Sequence, residues 1–232
     1  MKSATRFTLE FLLLGFLAKI AGEAIHEIIG HGLPVVFFGG TITRIHIAIM
    51  WPYELSSISF TPPPGGFAHW EAILVDGGGI LVSVIVTSVI QAFLLTRKLS
   101  WPVSTSLFWL AFWTFINPTG YLIIGGMSPF GDVWNLINEG VIGKEGALIS
   151  GLFLFLVDLF SLSAILESDL AASRIIRTTD KALVIFWLII PLITTAMLIG
   201  SGQPLTYLLL SFLPVLLIWA YLALRKRKSD SK

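Results

Sequence analysis

The chain alternates long apolar runs with short polar stretches, and the length of the runs sets its class. A hydrocarbon core about 30 Å thick requires roughly 20 apolar residues of helix. Six stretches meet that length: 7–30, 73–95, 106–126, 147–166, 182–200 and 205–224. The pattern predicts an all-α polytopic membrane protein with six transmembrane helices. The loop at 39–71 is long and polar, and its segment 41–50 alternates partly with period two. That alternation reads as a short strand. A second β-prone piece at 57–61 precedes Pro62-Pro-Pro-Gly-Gly66, so a short β-hairpin is expected in this first outer loop.

Composition agrees with the runs. The chain has 232 residues, 55% hydrophobic and 12% charged, with mean hydropathy +0.87. A soluble domain carries about 25% charged residues, so apolar surface on this scale needs lipid as its solvent. The first run follows a short basic stretch. It is longer than a signal-peptide core and has no small-residue cleavage site before the next polar segment, so it reads as a retained span. There is no internal repeat and no soluble segment, which implies one membrane domain over 1–232.

Lys and Arg set the orientation. With the N-terminus inside, one side carries Lys2, Arg6, Arg97, Lys98, Arg174, Arg177, Lys181, Arg225, Lys226, Arg227, Lys228 and Lys232. The other side carries only Arg44 and Lys144, and Lys19 lies within the first span. Both termini are therefore expected in the cytoplasm of a multi-pass cell-membrane protein. The basic tail reads as a stop-transfer signal in contact with anionic lipid, and no nucleic-acid partner is implied.

With no cysteine in the chain, disulfides, thiolate metal sites and cysteine nucleophiles are excluded. Any metal must be held by His, Asp or Glu. Ionisable groups inside a membrane span are costly and point to function. The first span holds Glu23, His26, Glu27 and His31 in Gly22-Glu-Ala-Ile-His-Glu-Ile-Ile-Gly-His31. Two imidazoles on one helix face can bind zinc, and a Glu beside the first can act as general base. The usual spacing is i, i+4. Here it is i, i+5, which a regular helix at about 100° per residue would turn roughly 140° apart. A π-bulge would restore convergence, and Gly30 could loosen the helix just before His31. Glu27 and His31, at i, i+4, form a competing pair.

These residues resemble the site-2 protease family of intramembrane zinc metalloproteases. His26-Glu27-Ile-Ile-Gly30-His31-Gly-Leu33 is similar to the family's His-Glu-x-x-His signature, stretched by one residue. Phe38-Gly-Gly-Thr-Ile-Thr-Arg-Ile-His-Ile47 is similar to the glycine-bearing turn and β-segment that follow it. Asn117-Pro118, and then Gly131-Asp132, resemble the second motif, although Asp132 is not followed by Gly. The resemblance implies a protease-like core in 7–140, with three additional spans and the basic tail in 147–232. It implies Zn²⁺ on His26, His31 and Asp132, Glu27 as the catalytic base, and Asn117 supporting the substrate or oxyanion. It also implies a membrane-protein substrate. The topology agrees with this pairing, because the first and third spans both run outward and put the His cluster and Asp132 at one depth.

Other groups compete for roles. Asp76, in Asp76-Gly-Gly-Gly79, is the second candidate for third ligand, or else an interfacial cap on the second helix. Gly77–Gly79 would permit close helix contact. Glu23 is a secondary candidate as ligand, as a partner orienting His26, or as an i, i+4 partner of Lys19. His69 and Glu71 flank Trp70 at the interface, and His46 reads as solvated. Asp158, alone in the fourth span, is expected to hydrogen-bond another helix. Two other functions are open. One is a catalytically inactive relative acting as a membrane binding or regulatory protein. The other is a metal or proton transporter, which should show charged groups on several facing helices.

Overall fold

The fold is taken from a computed structural model that describes residues 3–49, 55–173, 178–201 and 205–230. Met50 of the predicted strand lies outside these residues, as do Lys2, Arg174, Arg177 and Lys232 of the charge pattern. The chain begins with a continuous helical segment: α1 (Ser3–Ala24), a π-helix (Ile25–Gly32) and α2 (Leu33–Phe37). Two strands follow, β1 (Thr41–His46) and β2 (Ser57–Thr61), and then α3 (His69–Thr96), α4 (Trp101–Met127), α5 (Gly131–Asn138) and α6 (Lys144–Ser173). The chain continues through α7 (Thr179–Trp187), α8 (Ile189–Ser201), α9 (Leu205–Ser211) and α10 (Leu213–Asp230).

Four helices among the described residues are long and apolar enough to cross a membrane: His69–Thr96, Trp101–Met127, Lys144–Ala172 and Leu208–Lys226. The N-terminal helix is long as well, but Arg6, Glu10, Lys19 and Glu23 interrupt its apolar run. The stretch 182–200 is not one helix. It divides at Leu188, three residues before Pro191. The last of the four long helices carries a one-residue irregularity at Phe212, two residues before Pro214, which separates α9 from α10. A proline has no N–H to bond the carbonyl four residues back, so the turn preceding it is where a helix gives way.

The hairpin is a two-stranded antiparallel sheet. Thr41 pairs with Thr61 and Ile42 with Phe60, after which Arg44 pairs with Ser59. Thr43 is the extra residue of a β-bulge, which increases local twist. Ile42 and Ile58 turn their methyl ends toward Gly32 of the π-helix, so the hairpin is seated beside the His-Glu segment.

The chain divides into two compact units, residues 1–49 with 55–165, and residues 50–54 with 166–232. In the first, α1 lies along α4: Gly22 meets Trp113, whose indole Nε1 donates to the Gly15 carbonyl at 2.9 Å. Phe108, Phe112 and Phe115 of α4 are fully buried, with Val35, Val75, Val133, Leu159 and Leu162. The opposite faces are apolar and exposed, with Leu9, Leu13 and Phe16 on α1, Leu81, Ile85 and Val89 on α3, and Ile149, Phe153 and Phe160 on α6. Apolar side chains facing outward around a buried aromatic and polar interior are the arrangement lipid favours. In the second unit, Arg225 bridges Glu167 and Asp180, at 2.7 Å to each.

Candidate metal centre

The π-helix dictates the geometry of the centre. Its bonds run from i to i+5, so residues five apart stack on one face. His26 and His31 therefore converge, with Nε2 atoms 3.3 Å apart. Both are almost wholly buried, at 1% and 7% exposure.

The third group arrives from 106 residues further on. After α4 the chain turns back through Pro129 and through Gly131, whose φ of +52° favours glycine. Asp132 follows in the first turn of α5, where a carboxylate also suits the positive end of the helix. Its Oδ2 lies 3.2 Å from His26 Nε2 and 3.3 Å from His31 Nε2.

Neighbouring groups orient the imidazoles. His31 Nδ1 lies 2.6 Å from the Val75 carbonyl of α3. A carbonyl only accepts, so Nδ1 carries the proton and Nε2 presents its lone pair to the cluster. His26 Nδ1 lies 3.4 Å from Ser83 Oγ, which can accept in the same way. Tyr121 stacks on His26, with centroids 5.4 Å apart and planes 20° apart, and Phe130 stacks on Tyr121 at 5.3 Å. An aromatic wall therefore closes one side.

Gly79 of α3 forms the floor. A Cβ there would sit 2.5 Å from His31 Nε2 and 2.6 Å from His26 Nε2. Gly30 of the π-helix meets the backbone of Gly78 and Gly79 just as closely. The glycine run thus brings the backbone of α3 directly against the two histidines.

Three lone-pair-bearing atoms facing one another at 3.2–3.3 Å repel unless a proton or cation lies among them. Ligands at about 2.0–2.1 Å around a tetrahedral metal lie roughly 3.3–3.4 Å apart. The donor set, two imidazole nitrogens and one carboxylate oxygen, together with its spacing, fits a metal ion. No other such group of His, Asp and Glu occurs among the described residues.

The remaining sequence candidates lie at different distances from this centre. Glu27 is buried within the π-helix and lies in the electrostatic reach of His26, His31 and Asp132. Glu23 is half-buried and stands outside the ligand group. Lys19 donates to the Ala48 carbonyl. Asp76 also stands outside it, accepting a hydrogen bond from Asn135. Asp76 is not a cap either, since α3 starts at His69, where Glu71 accepts the Ala68 N–H at 2.8 Å. Asn117 is half-buried in mid-α4, one turn before Tyr121, and has no hydrogen-bond partner among the described residues.

Sequence reasoning missed Val75, Ser83 and Tyr121, and it read Gly79 for the close helix contact that it makes but not for its place against the histidines. Val75, Gly79 and Ser83 recur every four residues on the second apolar run, which places them on one helix face. That recurrence was the available signal. Comparison with protein-family models, with curated proteins and with solved structures finds no match to this chain.

Proposed function

We propose that the protein is an intramembrane zinc metalloprotease, hydrolysing peptide bonds in membrane-embedded or membrane-adjacent protein segments. The observation that carries this reading is the convergence of His26 Nε2, His31 Nε2 and Asp132 Oδ2 at 3.2–3.3 Å, through a π-helix that overcomes the extra residue in the His-Glu motif. With no cysteine in the chain, His26, His31 and Asp132 would hold zinc, and a set of three protein ligands is the kind that catalytic zinc sites use. Bound there, zinc supplies a Lewis acid that polarises the scissile carbonyl and makes water more acidic.

The chain's own residues do the rest. Val75 and Ser83 hold the two rings with their Nε2 atoms toward the ion. Glu27 accepts the proton of the attacking water on its carboxylate and delivers it to the leaving amine. Asn117, on α4, steadies the substrate backbone or the oxyanion. The β1–β2 hairpin holds an extended substrate by strand addition. The chain spans the cell membrane six times with both termini in the cytoplasm, the N-terminal helix and the α7–α8 pair adding two spans to the four long apolar helices.

Metal analysis of the purified protein tests this reading. One zinc per chain is expected, lost in His26→Ala, His31→Ala and Asp132→Ala and retained in Glu27→Gln. Wild-type protein lacking zinc under non-chelating conditions would sink the proposal. Because the chain has no cysteine, single introduced cysteines report topology directly. Thiol labels added to intact cells should reach position 44 and fail to reach positions 98 and 228.

A further inference from the structure

A second buried polar place lies on the same face of α3. Ser83, Thr87 and Gln91 continue the four-residue recurrence of Val75 and Gly79, and all three are buried. At 1.5 Å per residue, Gln91 lies about 18 Å along the helix from Gly79. There α3, α4 and α6 enclose a cavity of about 240 Å³, lined by Thr87, Ser88, Gln91, Phe115, Thr119 and Asp158 among others. Asp158 is 9% exposed and accepts from Gln91 Nε2 at 2.6 Å. Beyond that bond neither residue has a partner among the described residues. One Asp158 oxygen and the Gln91 amide oxygen are left over.

Most of the lining is apolar, and the polar atoms it does present are almost all acceptors. Thr119 already donates its hydroxyl hydrogen to the Phe115 carbonyl at 2.7 Å. Thr114 donates to the Leu110 carbonyl, which leaves Thr87 to donate to Thr114 or to the Ala111 carbonyl. With these hydrogens committed, the hydroxyl oxygens turn only lone pairs to the space. Ser88, at the rim, has the one uncommitted hydroxyl. A carboxylate at this depth is costly without a counter-charge, and no cationic side chain supplies one among the described residues. The cavity is complementary to a guest with several N–H donors and a positive charge.

The rim shows the route of entry. Ser88, Ala92, Leu95 and Val157 are exposed, and all belong to membrane-spanning helices. The opening faces the surroundings of the span, where a bare metal cation does not travel and an amphiphile does. The volume is below the roughly 300–1,000 Å³ of drug-sized pockets, so it admits a head group and not a bulky ligand. We propose that this cavity binds the primary ammonium head of an apolar amine, held by Asp158 and the Gln91 amide oxygen, independently of the metal centre.

The test titrates dodecylamine into the full-length protein in zwitterionic lipid nanodiscs at pH 7.5, followed by calorimetry. Dodecyltrimethylammonium has the same charge and no N–H donor, and dodecanol has no charge. Saturable uptake of one equivalent of dodecylamine is expected, with both comparators at least about tenfold weaker. Asp158→Asn keeps an oxygen for Gln91 Nε2 and removes the charge, and is expected to weaken the amine by a similar factor while the thermal midpoint stays put. His31→Ala should bind dodecylamine as wild type does, whether or not the protein is a protease. Non-saturable partitioning, or equal binding of dodecyltrimethylammonium, overturns the proposal on wild-type protein alone. Undiminished amine binding by folded Asp158→Asn overturns it as well.

Discussion

The two polar places along α3 solve the same problem in opposite ways. At the candidate metal centre, every buried ring nitrogen has a neighbour: Nδ1 atoms meet Val75 and Ser83, Nε2 atoms meet each other and Asp132. Glycine backbone closes one side and an aromatic ring another. Around Gln91 and Asp158 there is one strong hydrogen bond, spare oxygens and an open volume. The first place is tight and fixes the direction of its lone pairs, as a small ion requires. The second is loose and fixes only the sign of its charge. Burial of polar groups in a membrane helix therefore does not itself indicate chemistry. The degree to which packing fixes their direction does.

The comparison can be broken in four places. The largest effect is expected for Glu27→Gln, which should lower peptide cleavage by about 10²–10⁴-fold, read with membrane-spanning reporter peptides, while zinc content stays at one per chain. Next is Gly79→Ala, whose methyl would sit 2.5 Å from His31 Nε2. Zinc affinity, measured by chelator competition, should fall at least about 100-fold, the upper end of what disturbing a ligand's surroundings costs. Gly77→Ala is the control, since its Cβ comes no nearer than 3.4 Å to Leu136. Ser83→Ala should cost about tenfold in zinc affinity, because it removes only the His26 Nδ1 neighbour. The smallest effect on zinc is expected at the loose place. Gln91→Leu should leave zinc affinity unchanged and lower stability by about 1–3 kcal/mol, because it removes the one partner of the buried Asp158 carboxylate, read as a shift in detergent unfolding. A loss of zinc in that variant would show that the two places are coupled.

Much of this arrangement was legible in the chain. The His26–His31 cluster stood out because charge in an apolar run is rare, and Gly30 marked where the helix could open. The hairpin strands were visible in their alternation, from Thr41 and from Ser57. The supports were harder to see. His31 is oriented by a backbone carbonyl, that of Val75, which no side-chain pattern records. Tyr121 stacks on His26 while Gly131, 10 residues further on, lies against its ring so closely that a Cβ there would collide with it, a contact between distant positions that no local pattern records. The helix break at Leu188 and the irregularity at Phe212 were foreshadowed by Pro191 and Pro214, although hydropathy averages over them. Asp158 has the partner on another helix that was expected of it, but its identity as Gln91 depends on how α3 and α6 pack.

The π-helix also sets the phase of everything before it. Gly15 and Gly22 of α1 face Trp109 and Trp113 of α4, while His26 and His31, further along the same continuous helix, face α3. Deleting one residue between the histidines would restore the common linear signature and rotate α1 by about 100° about its axis. The glycines would then leave the tryptophans, and exposed Leu13 or Phe16 would be driven toward them. The inserted residue is therefore a gear tooth: it meshes the upstream helix with one neighbour and the metal ligands with another. Its removal should be repaired only by a compensating insertion between Gly22 and His26.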